Sequence, residues 1–467
     1  MSASSKKVDF TEGPIFFKVF RFAAPIMLSG ILQNAYHIAD KVVVGSFSGD
    51  DLALAAVGSS GAITTFIVNL LISLSSGCGV VIAQEKGRGD RDAIERIIHT
   101  SMTFAAISGV IMMLLGILVT EPSLAMLGTK EELMGRAVVY MRISCVGIPA
   151  NAIYNFAAAA FRALGDARTS LRILTFSGLL NVVLNVVFVV LFGMASEGVA
   201  LATVISKYVS AVWIVALMLS RKQEPYALIP KRMRIGGAEL VRILRFGIPM
   251  TIQGSMFSIS NVILSSSVNS LPITDISAKT IAFSITDIIN TSMSAFTHTA
   301  VTASAQNYGA GKNFRINRSL GICILQSAII AFGMATFIFL FEDSLIGMFI
   351  GVDDPEFLVV RESAKRILLT TAPFYFIVGI MNSFSGTLRG MGWTVPPMVV
   401  SIVGICLLRV VWVNTIFKIP AFNNAVGLYM VYPITWLITS SILAAAFLLA
   451  RSRMDKEEKL HAEKSMV

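Results

Sequence analysis

Runs of apolar residues dominate the chain, broken by short polar connections. A helix needs about 20 apolar residues to cross a hydrocarbon core. Runs of that length predict spans near 15–47, 52–84, 97–119, 137–160, 170–193, 198–219, 243–268, 276–305, 317–341, 366–388, 395–417 and 426–450. The first, second and eighth exceed what a bilayer requires, so tilt, kinks or extension into water are expected there. Pro25, Pro149, Pro249 and Pro373 fall inside these runs, where neighbouring helices can satisfy the carbonyls that proline frees. The pattern predicts an all-α polytopic membrane protein with twelve transmembrane helices.

Composition agrees. The 467 residues are 55% hydrophobic and only 14% charged, with a mean hydropathy of +0.74, whereas a soluble chain is about a quarter charged. A net charge of +10 would suggest nucleic acid in a soluble protein. Here the basic residues lie between apolar runs, so membrane topology explains them and no nucleic-acid partner is expected. If the N-terminus is cytoplasmic, that side collects most of the Lys and Arg: the connection 221–245, the loop 85–96 and the tail after Arg451. Both termini are therefore expected in the cytoplasm. A polar head, 2–11, precedes a first run too long for a signal peptide, which should remain as the first span. Cys78, Cys145, Cys323 and Cys406 lack metal-ligand or redox spacing and read as packing residues.

The chain also repeats itself. Arg21-Phe-Ala-Ala-Pro25 recurs as Arg245-Phe-Gly-Ile-Pro249, and Ala83-Gln84 with Gly87 and Gly89 recurs as Ala305-Gln306 with Gly309 and Gly311. Arg142 with Pro149 recurs as Arg366 with Pro373, and Arg162 with Gly165 as Arg389 with Gly392. Four matches in order, at nearly one offset, mark a duplication. The expected organisation is a six-helix bundle over 1–220, a basic cytoplasmic linker over 221–242, a second bundle over 243–450 and a cytoplasmic tail over 451–467. Six spans per half give both bundles one orientation, related by a pseudo-two-fold axis along the membrane normal. In transporters so built, the substrate path lies between the halves.

The motifs themselves resemble a family. Leu32-Gln33-Asn34-Ala35-Tyr36-His37-Ile38-Ala39-Asp40, then Gly45 and Leu54-Ala55-Ala56-Val57-Gly58, is similar to the first-helix pattern of multidrug and toxic compound extrusion (MATE) transporters. Ile82-Ala83-Gln84, Phe161-Arg162-Ala163-Leu164-Gly165-Asp166 and Gly198-Val199-Ala200-Leu201-Ala202-Thr203 fit as well. So do Gly247-Ile248-Pro249, Gln306-Asn307-Tyr308-Gly309-Ala310-Gly311 and Leu388-Arg389-Gly390 in the second half. The resemblance implies two bundles that alternate between inward- and outward-open states in the bacterial inner membrane. It also implies export of drug-like organic compounds, mostly cationic or amphipathic, in exchange for protons or sodium. The protein is expected to act as a monomer in the lipid bilayer, without a cofactor, a metal centre or catalytic residues.

A charge at the bilayer centre costs about 3 kcal/mol on insertion scales, so intramembrane acids are functional candidates. Asp40 matches the first-helix carboxylate that the family uses for coupling. Its other readings are a pair with adjacent Lys41 or a cap at a helix break. His37, three residues earlier, is a core histidine or a modifier of Asp40, since a metal would need more ligands. Asn181 and Asn185 share a helix face, and the resemblance places both, with Thr203, around the coupling site. Interhelical bonding worth about 0.6 kcal/mol is the alternative. Many family members carry an acid where Asn185 stands, so this half offers the single carboxylate Asp40.

In sodium-coupled relatives two acids occupy the positions of Phe257 and Val378, neither of which can ligate a hard cation. The proton is thus the expected coupling ion, with a first-half sodium site left open. Asp287 either draws in a cationic substrate, faces water, or pairs with Lys279 or His298. Gln33, Tyr36, Asn151, Asn155, Gln253, Asn261 and Asn382 are candidate substrate-cavity groups or helix bridges. Lys207 and Arg409 are expected to snorkel. No nucleotide-binding Gly-Lys-Ser/Thr loop occurs, which argues against direct ATP use. The competing functions are a lipid-linked oligosaccharide flippase, which would favour a more cationic cavity, and a membrane receptor or enzyme.

Overall fold

The computed structural model describes residues 7–47, 51–126, 128–268, 271–350 and 357–465, with side chains except at 37, 41, 42, 44–63, 65, 265, 266 and 457–465. Among these residues there are helices and no strand. In chain order they form α1 (Ile15–Phe47), α2 (Asp51–Arg88), α3 (Arg91–Met126), α4 (Glu131–Val146 and Ile148–Ala163), α5 (Ala167–Leu191) and α6 (Ser196–Ser220). The second half gives α7 (Gly237–Val268), α8 (Ile273–Gly309), α9 (Asn313–Leu340), α10 (Phe357–Gly390), α11 (Val395–Lys418) and α12 (Ala425–Tyr429 and Val431–Ser465). Each rod covers one of the apolar runs. Nine of the described helices are long and apolar enough to cross a bilayer, or ten with the bent α4. This is a multi-pass helical membrane protein.

Two of the four prolines break their rods. α4 bends by 41° around Gly147, two residues before Pro149, and α10 passes through a 3₁₀ turn at Ala372–Phe374, which contains Pro373. Proline has no amide to donate and clashes with the preceding turn, so each break falls at a matching point of the repeat. Pro25 and Pro249 remain inside α1 and α7. Both halves also carry a π-helical segment, at Val187–Leu191 in α5 and Ile402–Leu407 in α11, a distortion that occurs often near functional groups.

The chain forms two compact units, one of Met1–Asp9 and Ala24–Gly254, the other of Phe10–Ala23 and Ser255–Val467. The divisions fall inside α1 and α7 as well as before α1, so each of these helices contributes to both units.

In the first unit, α2 and α7 approach so closely that a methyl group on Gly77 would lie 2.5 Å from the amide nitrogen of Gly247. The basic connection after α6 is held to this unit. His99 Nε2 accepts the Ile229 amide at 2.9 Å, Gly236 N–H donates to Thr100 Oγ1 at 3.1 Å, and Arg242 pairs with buried Glu85. Val8 N–H donates to Gly165 O at 2.9 Å. Gly165 has φ +85°, and a Cβ there would lie 2.0 Å from the Val8 carbonyl oxygen. Only glycine fits both demands. Asp166 then caps α5, accepting Thr169 N–H at 3.1 Å and Thr169 Oγ1–H at 2.6 Å.

In the second unit, the Gln306-Asn307 motif anchors the chain ahead of α1. Phe10 N–H donates to Gln306 Oε1 at 3.1 Å, and Asn307 Nδ2 and Arg315 Nε donate to Phe10 O at 3.3 and 3.0 Å. The Leu388-Arg389-Gly390 motif marks where α10 meets α8: a methyl on Gly390 would lie 2.6 Å from Val301 O.

Candidate functional site

A cavity of about 300 Å³ opens within the first unit, walled by α1, α2, α4, α5 and α6. Its polar lining comprises Gln33, Tyr36 and Asp40 from α1, Thr64 and Asn69 from α2, Asn151, Tyr154 and Asn155 from α4, and Ser177 and Asn181 from α5. α6 adds Thr203, Ser206, Lys207 and Ser210, and Val68, Ile72 and Leu174 supply apolar wall. Gly178 shapes one side. A Cβ there would overlap the Tyr36 ring, 1.7 Å from Cε2. Without one, Tyr36 lies across α5 and its hydroxyl donates to Thr175 O at 3.2 Å.

Asp40 is tied into a chain of hydrogen bonds that crosses three helices. Asn185 Nδ2 donates to Asp40 Oδ1 at 2.5 Å and also lies 3.4 Å from Asn181 Oδ1. Asn181 Nδ2 donates in turn to Thr203 Oγ1 at 3.3 Å. The first link is charge-assisted when Asp40 is ionised, and such bonds are about twice as strong as neutral ones. The Oδ1 of Asn185 is buried without a partner. One turn beyond this pair, Val43, Val189 and Val199 pack into a buried apolar cluster with Ala195. Val43 follows Asp40 by three residues and Val189 follows Asn185 by four, so helical periodicity seats the cluster against the polar pair.

Of the sequence-predicted coupling residues, Asp40, Asn181, Asn185 and Thr203 meet in this chain. Gln33, Tyr36, Asn151 and Asn155 line the same cavity, where Asn155 Nδ2 donates to Asn151 Oδ1 at 2.9 Å. Gln253, Asn261, Asp287 and Asn382 are not part of it. Gln253 is buried in α7, Asp287 is exposed on α8, and Asn382 is half-buried in α10. The side chains of His37 and Lys41 lie outside the described residues, so their expected roles stay expectations.

Both cations expected to snorkel are held inside instead. Arg409, only 3% exposed, stacks on the Tyr432 ring at 4.3 Å and donates from Nη1 to Asn261 Oδ1 at 3.2 Å. A planar guanidinium gains from such an aromatic face, which outweighs the pull of the interface. Lys207 lines the Asp40 cavity, its stem packed against Gly147 at the bend of α4 and its ammonium within electrostatic reach of Asp40. Sequence reading missed it, although a signal existed: Lys207 follows Thr203 by four residues and so shares its helix face.

A sequence profile of the MatE family matches residues 25–187 and 249–414, one segment in each half. The chain is 26% identical over 464 residues to the probable multidrug resistance protein YpnP of Bacillus subtilis, covering 98% of this chain and all of that protein. It is 25% identical to the probable multidrug resistance protein NorM of Thermotoga maritima over 84% of this chain and 83% of NorM. Among solved structures, a MATE multidrug-resistance transporter in an outward-facing conformation superposes with a TM-score of 0.88 at 20% identity, covering 97% of this chain and all of that one. Another, crystallised with MaL6, gives 0.90 at 20% identity over the same shares. The matched profile spans most of both halves, and the chain belongs to the MATE family of multidrug efflux transporters.

Proposed function

We propose that the protein is a secondary active antiporter. It exports organic, cationic or amphipathic small molecules by alternating access in exchange for protons, with both termini in the cytoplasm. The observation that carries this reading is Asp40: a carboxylate that lines a small-molecule-sized cavity and is bonded from behind by a carboxamide.

Such a pair can serve both protonation states. An ionised Asp40 accepts the Asn185 N–H. A protonated Asp40 needs an acceptor for its hydroxyl, and a turn of the Asn185 side chain presents the unpartnered Oδ1. Each state is then hydrogen-bonded, which avoids the penalty of about 1–3 kcal/mol for an orphaned buried polar group. A positively charged substrate group and a proton compete for the same carboxylate. Competition of this kind supplies the differential affinity that an exchange cycle requires. The Val43–Val189–Val199 cluster keeps the pair from opening to water along that side.

The test is transport into proteoliposomes, comparing an imposed pH gradient with an imposed sodium gradient. The pH gradient should drive substrate movement and Asp40→Asn should abolish the response. Drive by sodium alone, or a fully active Asp40→Asn, overturns the assignment.

A further inference from the structure

Lys207 gives the cavity a charge pattern that the antiport reading does not use. Its ammonium and the Asp40 carboxylate occupy one cavity of about 300 Å³ and interact across it. Asp40 already takes its short hydrogen bond from Asn185, while Lys207 emerges beside Ser206 and Ser210 on α6. Among the described side chains, the other titratable groups in electrostatic reach are Tyr140 and Cys145 of α4, both uncharged near pH 7. Ionised, the pair leaves the described lining of the cavity with no net charge.

That neutrality selects among substrates. An uncompensated charge taken out of water costs several kcal/mol. A simple cation on Asp40 leaves Lys207 without its countercharge, and a simple anion on Lys207 does the same to Asp40. A molecule that carries both an ammonium and a carboxylate replaces each partner with another of the same sign and keeps the balance. Asn151 in the cavity wall has an Nδ2 that is buried with no partner among the described residues, so a small turn of its carboxamide would offer a further donor to a carboxylate. Val68, Ile72 and Leu174 accept an apolar body.

We propose that the preferred substrates are amphipathic zwitterions, with the ammonium on Asp40 and the carboxylate on Lys207. This rests on the antiport reading and narrows its substrate class. A proton on Asp40 still competes with the substrate's ammonium, so exchange is retained. It also leaves the substrate's ammonium without a countercharge beside positive Lys207, which adds to the expulsion of the bound head group.

The probes are Nε-dansyl-lysine, a fluorescent zwitterion, and dansylcadaverine, the same molecule without its carboxylate and a cation at neutral pH. Binding is read by fluorescence on the full-length protein in lipid nanodiscs at pH 7.5. The native protein should favour the zwitterion by at least tenfold. Lys207→Gln should erase or invert that ratio, because the cavity then carries one net negative charge, and Lys207→Arg should preserve it. Binding of neither probe, equal or tighter binding of dansylcadaverine by the native protein, or a ratio unchanged in Lys207→Gln overturns the proposal. If Lys207→Gln does not fold, the native and Lys207→Arg ratios still decide. Failure of the antiport reading shows separately, as absence of proton-driven transport with the binding ratio intact.

Discussion

Replacing Asn185 with leucine tests the coupling chain where its geometry is strongest. Leucine is close in size to asparagine and removes only the polar ends. The bond from Asn185 Nδ2 goes to the Asp40 carboxylate, whereas the two outer links join neutral groups at 3.4 and 3.3 Å. Hydrogen bonds to charged groups contribute about 1.5–3 kcal/mol, and neutral interhelical bonds in membranes average about 0.6 kcal/mol. Asn185→Leu removes the first link and one outer link, a loss of about 2–3.5 kcal/mol from the ionised state of Asp40. At about 1.4 kcal/mol per factor of ten, that is roughly a thirty- to three-hundred-fold weakening of any step requiring the carboxylate. Asn181→Leu, which breaks two weak links, should cost about 1.2 kcal/mol, and Thr203→Val about half of that. Two assays read the series: proton-driven uptake into proteoliposomes, and proton release into unbuffered solution when substrate is added to purified protein. Uptake should be impaired progressively in the order Thr203→Val, Asn181→Leu, Asn185→Leu, while proton release per bound substrate should rise in the same order, because losing a donor to the ionised carboxylate favours its protonated form. A Thr203→Val variant as impaired as Asn185→Leu, or native proton release in Asn185→Leu, refutes the chain as the element that tunes Asp40.

Other sites give sharp expectations. Gly165→Ala forces a side chain into φ +85° and against the Val8 carbonyl; with about 1–2 kcal/mol for the left-handed backbone and about 1 for the broken Val8 bond, thermal unfolding in detergent should begin several degrees lower. An unchanged unfolding temperature counts against that close approach. Arg409→Lys keeps the charge but loses the planar contact with Tyr432, and should destabilise the protein by about 1–2 kcal/mol; a lysine variant as stable as the native protein would show that the stacking contributes nothing. Val189→Asp places a carboxyl in the apolar cluster next to Asn185. It should raise proton leak through proteoliposomes in the absence of substrate, as measured with a pH-sensitive dye, and a tight membrane would remove that cluster from the mechanism.

The helical rods were legible because lipid imposes a single demand, an apolar run long enough to span it, and that demand appears in every stretch of sequence. The rods extend past the predicted runs where polar ends continue the helix: α3 begins at Arg91 and ends at Met126, beyond 97–119. The candidate coupling residues could be named by type and position, but their contacts could not. Asn185 meets Asp40 across 145 positions of chain, and nothing local encodes that approach. The error over Lys207 has a definite cause. Helical spacing put it on the face of Thr203, yet spacing alone does not say whether that face meets lipid or cavity, and a long flexible side chain near a helix end invites the snorkelling interpretation. Arg409 was misjudged for the same reason, since the Tyr432 ring that holds it lies in a different helix. The helix breaks at Gly147 and Ala372–Phe374 show a milder limit: proline marks where a rod is weakened, while its neighbours decide whether it bends.

A single carboxylate is sufficient for such a cavity. Two adjacent acids would repel each other and hold one proton between them over a wide pH range, so that their protons come off in two separated steps in place of one. With Asn185 beside it, Asp40 changes the cavity by one full elementary charge on each protonation. At an effective dielectric constant of about 20, one charge acting on another 4 Å away is worth about 4 kcal/mol, close to three powers of ten in affinity. Lys207 sets the baseline for that change. In the proposed cycle, protonation adds one positive charge to the described lining, so the proton both takes the carboxylate from a bound ammonium and makes the surroundings hostile to it. An acid at 185 would blunt the second effect, and a neutral residue at 207 would remove it. The asparagine and the lysine are therefore best understood together, as the two neighbours that let one acid act alone.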